Sequence, residues 1–503
     1  MNIIHGDCLE ELKKLEDSSV DAVVCDPPYG LSNTKPQQVA DVLKAWVTGD
    51  TVSVPAKKGG FMGKDWDSFV PPPAVWEECM RVLKPGGHMA VFAGARTQDL
   101  MGLSIRLAGF EIRDTLGWIT GSGMPKSLDV SKAIDKGQGK NRQRQLEFTE
   151  WMRSTGITAT QINEATGTNM GNHYLTAASQ PAIATADLFD KLRPLLPEVP
   201  ERIERLVAER TGIEWTDYVK REVVGAGKSG KTYGMGGLRG VETSTGSFDL
   251  TAPATSEAQR WDGWGTALKP AIEPIILARK PLDGTVANNV LAHGVGGLNI
   301  DACRVGSEAR LNSPAGTLGN GVNMSGGLAQ AGREPTVAAG RFPANVLLDE
   351  HAAKEMDKQS GWSPSNARKR KKPKGKKGDP SEFLGSLKGT GAGYEVSDSG
   401  GASRFFPVFK YQAKAPKKER PVIEREDGTK IQHPTVKPVA LMEWLVELIT
   451  PPGGVVLDPF AGSGTTLQAA LNKGFTPIGI EQDADYIKLI EKRLEATCTT
   501  RKN

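Results

Sequence analysis

GGVVLDPFAGSGTTLQAALNKGFTPIGIEQDADYIKLIEKRL, residues 453–494, alternates short β-branched runs with stretches of helical periodicity. The first run ends on Asp458, a loop carrying Gly462 and Gly464 follows, then a helical stretch, then a second apolar run ending on Glu481. Strand, glycine-rich loop, helix, strand, acid, helix is the order of a nucleotide-binding βαβ unit. Glycines let the loop backbone approach a ligand, and an acid at the second strand end is placed to take ribose hydroxyls. Glu481 stands 17 residues after Gly464, close to the separation such a unit needs. Strand–helix packing alone also selects glycines, but the acid just before the loop favours the binding reading.

The other end of the chain reads the same way. Residues 2–5 and 20–25 are short apolar runs around a helical stretch from Cys8 to Leu15. A helix around Pro73–Leu83, a KPGG turn at 84–87 and a strand at 88–94 continue the alternation. The run VDAVVC enters Asp26-Pro27-Pro28-Tyr29 and Gly30, a rigid corner at a strand end. A simple turn would explain Asp, Pro and Gly, so the surrounding motifs have to decide.

Composition sets the limits. A chain of 503 residues suffices for about three ordinary domains, or for one catalytic domain with large insertions. The 58 glycines and 32 prolines, against 38% hydrophobic residues, predict extensive loop in the middle third. Net charge is only +4, so the distribution of charge matters more than its sum. Five scattered cysteines form no CxxC pair, which argues against zinc knuckles, redox motifs and disulfide frameworks and fits a reducing cytoplasm. No apolar run approaches the roughly 18 residues of a membrane span, and the first residues enter a strand pattern instead of a signal peptide.

With these motifs in view, the sequence resembles the amino-group DNA methyltransferases that use S-adenosylmethionine. DPFAGSG (458–464) looks like their cofactor loop, DPPY (26–29) like their catalytic motif, and HPTVKP (433–438) like the segment preceding the cofactor loop. The catalytic motif comes first and the cofactor motif last, as in the permuted group called β. The implied fold is α/β, a Rossmann-like doubly wound methyltransferase sheet, circularly permuted, with a large inserted recognition region. The resemblance implies cofactor contacts from Asp7, Cys8, Thr435, Lys437, Asp458, Phe460, Gly462, Gly464 and Glu481, with Asp7 where the family holds the adenine. WGTALKPAIEPI (264–275), RFPANVLLDE (341–350) and RFFPVFKYQAKAPKKER (404–420) look like phage-type adenine methylases.

The chemistry asks for such a corner. An exocyclic amine conjugated with its ring is a poor nucleophile, so it has to be rehybridised and aimed at an activated methyl. Asp26 can accept one N–H and the Pro27 carbonyl the other, while the prolines hold that carbonyl in place. Tyr29 offers a flat face to a base extruded from the duplex, a contact of about 1–3 kcal/mol. Asp26 need not be a strong base, because nitrogen becomes acidic once alkylated.

Other signals are weaker. GAGKSGKT (225–232) fits a phosphate-loop pattern, but Gly234, Gly236, Gly237 and Gly240 follow where a helix would have to start. Residues 141–196 look like successive short helices, with Gly167 at a helix-turn-helix turn and Ile162, Ala165, Met170, Tyr174 and Leu175 spaced for a shared core. Thr168, Asn169, Asn172 and His173 would then face a DNA groove, unless the insertion serves packing alone. ARKRKKPKGKK (367–377), with Arg368, Lys369 and Arg370, reads as a phosphate-binding run or as a solvated linker. The six histidines show no metal spacing, and Trp118 either lines a base pocket or sits in the core.

The sequence divides into a catalytic half (1–135), a helix-turn-helix-like insertion (136–200), a glycine-rich target-recognition region (201–403) and a cofactor half (404–503). The resemblance implies adenine-N6 methylation of double-stranded DNA, because in that family Asp in the first catalytic position favours adenine. Cytosine-N4 methylation and a catalytically silent DNA-binding protein are the alternatives. A homodimer and a cognate nuclease are further partners that this class admits.

Overall fold

The computed structural model describes residues 2–32, 34–55, 67–121, 123, 127–137, 140–176, 180–209, 221–228, 247–312, 336–365, 398–409, 420–425 and 428–500. The chain forms two compact units, one of residues 1–123 with 271–503, the other of residues 124–270.

The first unit is built on a nine-stranded sheet: β1 (Asn2–His5), β2 (Val20–Cys25), β3 (Leu83–Phe92), β4 (Glu111–Ile119), β5 (Ile272–Arg279), β6 (Val346–Asp349), β7 (Val408–Phe409), β8 (Val455–Asp458) and β9 (Thr476–Glu481). Their order across the sheet is β1, β9, β8, β2, β3, β5, β4, β6, β7. All neighbours are parallel except β5, which runs antiparallel between β3 and β4. The β8–β9 unit from the end of the sequence therefore lies between the first two strands of its beginning, with β1 on one side and β2 on the other.

Continuous apolar strands are what a parallel sheet covered on both faces requires. β2 sends Val23 and Cys25 into one core with helices Pro36–Val47 and Pro73–Val82. Its alternate residues Ala22 and Val24 enter a second core with helices Val439–Ile449 and Thr465–Asn472. Helices thus cover both faces of an α/β, Rossmann-like sheet.

Two expectations are corrected. Residues 201–403 are not one recognition region: β5 and β6 from within it are strands of the main sheet, and the 124–270 unit crosses the expected 135/136 and 200/201 boundaries. KPGG is not a turn before a strand but an irregular part of β3, with Gly86 at φ +79° and a register shift opposite β2. Of its two readings, Trp118 takes the core one: it is buried among Leu116, Ile275 and Leu347 and is not part of the lining of the cavity at the strand ends described below. Gly225–Lys228 pair with Leu250–Ser247 in a hairpin, so the first half of the phosphate-loop pattern is strand; the remainder lies outside the described residues.

The second unit is mainly helical. Ala159–Thr166 ends on Gly167, in the left-handed conformation at φ +68°, and Gly171–Leu175 follows. A Cβ on Gly171 would meet the Ala159 carbonyl at 2.4 Å, so the two helices meet at glycine. Ile162 and Tyr174 are buried with Phe148, Met152 and Phe189, and Ala165, Met170 and Leu175 pack against them. Asn169 and Asn172 are exposed, and His173 is half-buried with its Nδ1 at 3.0 Å from the Gln180 carbonyl. The second helix has only five residues. The basic run with Arg368, Lys369 and Arg370 lies outside the described residues. No helix among the described residues is long and apolar enough to cross a membrane.

Candidate active site

Parallel strands place their carboxyl ends along one edge, where ligands of open α/β sheets bind. Four adjacent strands end there on or beside an acid: Asp7 after β1, Glu481 on β9, Asp458 on β8 and Asp26 after β2. All four line one cavity of about 610 Å³, together with Cys8, Thr435, Lys437, Phe460, Gly462, Pro27, Pro28 and Tyr29. That volume is within the usual range of small-molecule sites, roughly 300–1,000 Å³.

The glycine-rich loop is held from both sides. Glu481 accepts the Gly462 N–H and the Asp483 N–H, each at 2.8 Å, and Asp458 accepts the Phe460 N–H at 3.0 Å. Gly464 caps helix Thr465–Asn472 at φ +76°, where a Cβ would meet Ile490 at 3.0 Å, and it does not line the cavity itself. Burial pushes the Asp458 carboxyl up to about 7 and also raises Glu481. Asp7 caps helix Cys8–Leu12 by accepting the Leu9 N–H at 3.0 Å and the Glu10 N–H at 3.3 Å; the helix stops short of the expected Leu15. Burial, with Asp7 beside it, pushes the Cys8 thiol up to about 12. His433 stacks edge-on against Tyr486, with ring centroids 4.7 Å apart, and contacts the Thr435 carbonyl. Carboxylates, backbone N–H groups and apolar walls such as Val75 and Phe460 suit a cationic nucleoside.

The Asp26 corner is fixed by its neighbours. Asp67 accepts both the Tyr29 N–H at 2.8 Å and the Gly30 N–H at 3.0 Å, and the Thr97 hydroxyl donates to the Tyr29 carbonyl at 2.6 Å. Gly30 has φ +65°, and a Cβ there would strike the Phe69 backbone at 2.8 Å.

Lys437 stands with Asp26 and not with the cofactor loop. Its ammonium lies 3.0 Å from Asp26 Oδ2, 2.8 Å from Glu273 Oε1 and 2.9 Å from the Tyr29 hydroxyl. That hydroxyl is in turn 2.7 Å from Asp26 Oδ1 and 2.6 Å from Glu273 Oε1. Burial alone would lower the Lys437 ammonium, but the two carboxylates hold it above the usual lysine range. Burial and the same carboxylates push the Tyr29 phenol well up. Glu273 and Asp67 are the site residues that the motifs did not show. The signal for Glu273 was an acid heading the apolar run IEPIILAR.

Residues 20–180 and 330–492, more than half of the chain, match the sequence pattern of the DNA methylase family N6_N4_Mtase. The chain belongs to that family. Over 64 residues it is 50% identical to the putative methylase YubD of Escherichia coli (strain K12), covering 13% of this chain and 28% of that protein. It is 46% identical over 65 residues to the type II methyltransferase M2.DpnII of Streptococcus pneumoniae, covering 13% and 24%. With the DNA adenine methyltransferase YhdJ of Escherichia coli (strain K12) it shares 48% over 63 residues, 12% and 21%. The chain thus spans about a quarter of the length of these curated relatives. Among solved structures, the M1.HpyAVI–SAM complex aligns over 98% of both chains at 14% identity and TM-score 0.32. The PvuII DNA methyltransferase (cytosine-N4-specific) aligns over 98% of this chain and 85% of its own, at 11% and 0.35. Likeness at that level says nothing further, and the fold rests on the sheet described above.

Proposed function

We propose that the protein transfers the methyl group of S-adenosylmethionine to the N6 amine of adenine in double-stranded DNA, with the base turned out of the duplex. The observation that carries this reading is the convergence of Asp26, Asp458, Glu481 and Asp7 on one cavity at four adjacent strand ends. Asp458 and Glu481, with the loop they hold, would bind the cofactor, which supplies a methyl group already activated on a sulfonium. Asp26 accepts an N–H of the amine, and the Pro27 carbonyl, fixed by its ring, accepts the other. Tyr29 is tied by its hydroxyl to Asp26 and Glu273, which leaves its ring to pack against the base. Asp in the first position favours adenine over cytosine. Digesting DNA methylated by the protein and identifying the nucleosides by mass spectrometry tests this, N6-methyladenine being expected and N4-methylcytosine contradicting it.

A cationic cofactor favours the ionised form of Asp458, whose carboxyl burial raises to about 7. Affinity for S-adenosylmethionine should therefore rise with pH, level off above about 7, and be accompanied by proton release below it. The neutral thioether product should show a weaker dependence. The fold responds with the opposite sign: a raised carboxyl stabilises fully below about 4 and loses that contribution as pH rises through about 7. Calorimetry of cofactor binding to the wild type and D458N in buffers of differing ionisation enthalpy checks the first, since the variant should lose the proton release, and an unchanged release would place the group elsewhere; thermal unfolding of both proteins between about pH 4 and 7 checks the second, since the variant should lose that slope.

In the second unit, Asn169 in the turn after Ala159–Thr166 and Asn172 and His173 on the helix Gly171–Leu175 would supply base contacts, while Arg368, Lys369 and Arg370, which lie outside the described residues, would supply phosphate contacts. Exchanging the first three for alanine should relax the methylated motif and barely alter the salt dependence of DNA binding, because base contacts specify and phosphate contacts set the salt slope. Full selectivity in the triple variant, read by modification mapping, would contradict this.

A further inference from the structure

Glu273 enters the site through topology. β5 runs against its neighbours, so the start of that strand, where Glu273 pairs with Trp118, lies at the edge where the parallel strands end. There Asp26 does not have Lys437 to itself: the ammonium is 3.0 Å from Asp26 and 2.8 Å from Glu273. Lys437 is nine-tenths buried, whereas the Asp26 and Glu273 side chains retain 22% and 26% of their exposure.

The charge count matters for methyl transfer. As the N–C bond forms and the donor's C–S bond breaks, the sulfonium's positive charge passes to the amine nitrogen, until the proton on that nitrogen goes to Asp26. Two carboxylates and one ammonium leave the cluster with one net negative charge beside that nitrogen. Without Glu273, Lys437 would neutralise Asp26 and the amine would meet a dipole in place of an anion. Near a partly buried site, a charge this close is worth orders of magnitude in rate.

We infer that Glu273 is a positioning residue that neutralises Lys437 and thereby leaves Asp26 its negative charge for the reacting amine. The inference rests on the methyltransferase reading above. His433 also senses Lys437, and its imidazole is held below its ordinary value by burial, so it adds no competing positive charge at neutral pH.

E273Q keeps the shape and removes the charge. Its single-turnover methylation rate should fall about 10²-fold, with affinity for a non-reactive cofactor analogue unchanged. E273Q/K437M restores the net charge of the cluster and should recover at least about tenfold of that loss. In protein without cofactor, the nitrogen-labelled Lys437 resonance, assigned by its absence in K437M, should titrate at lower pH in E273Q. Near wild-type turnover in E273Q, a double variant no faster than E273Q, or an unmoved Lys437 titration would overturn the inference. Loss of analogue binding in E273Q would overturn it too, by making Glu273 a residue of the fold. If the wild-type protein itself methylates no DNA, the functional reading fails, while the lysine titration still tests the pairing of Glu273 with Lys437.

Discussion

Asp26→Ala should abolish methyl transfer, lowering the single-turnover rate by about 10³-fold or more, while cofactor affinity stays within a few-fold. Asp26 aims the amine; the loop that would bind the cofactor hangs from Asp458 and Glu481. The variant also leaves Lys437 paired with Glu273 alone, so the anion beside the amine disappears along with the acceptor. Rapid-quench measurement with radiolabelled methyl donor, alongside calorimetry of cofactor binding, separates the two effects. A rate near that of the wild type would refute the role given to Asp26.

The complementary loss is expected at Glu481. Glu481→Ala removes the carboxylate that would hold the ribose and also releases the Gly462 and Asp483 N–H groups that it accepts. Cofactor binding should weaken by about 1.5–3 kcal/mol, the range of a charge-assisted hydrogen bond, with a smaller effect on transfer from saturating cofactor. Unchanged affinity would mean that the ribose is held by another acid.

These two residues were legible because what marks them is local. An apolar run that stops on an acid declares a strand end, most plainly where Pro-Pro or Gly-rich chain follows; Asp26 and Asp458 run into such chain, and Glu481 closes the apolar run TPIGI before the polar QDAD. Glu273 follows it in reverse, heading its strand, and it becomes a site residue only because β5 runs antiparallel between β3 and β4. Sheet order is set by packing between segments far apart in sequence: Tyr29 and Glu273 are 244 positions apart, Glu273 and Lys437 164. For the same reason β5 and β6 were read as part of a recognition insertion. Asp67 was hidden differently, since nothing in KDWDSF says that its carboxylate will cap two N–H groups of a corner 37 and 38 residues earlier. Lys437 was seen as part of HPTVKP, but only the geometry moves it from the cofactor to Asp26. For Trp118 the sequence left pocket and core both open, and packing against segments far away in sequence decides for the core.

The most direct test of the central claim is long-read modification mapping of DNA from cells that express the protein, set against cells that express D26A. Adenine-N6 methylation at a defined motif in the first and its absence in the second is the predicted result. DNA left unmodified by the wild-type protein, despite measured cofactor binding, would contradict the account.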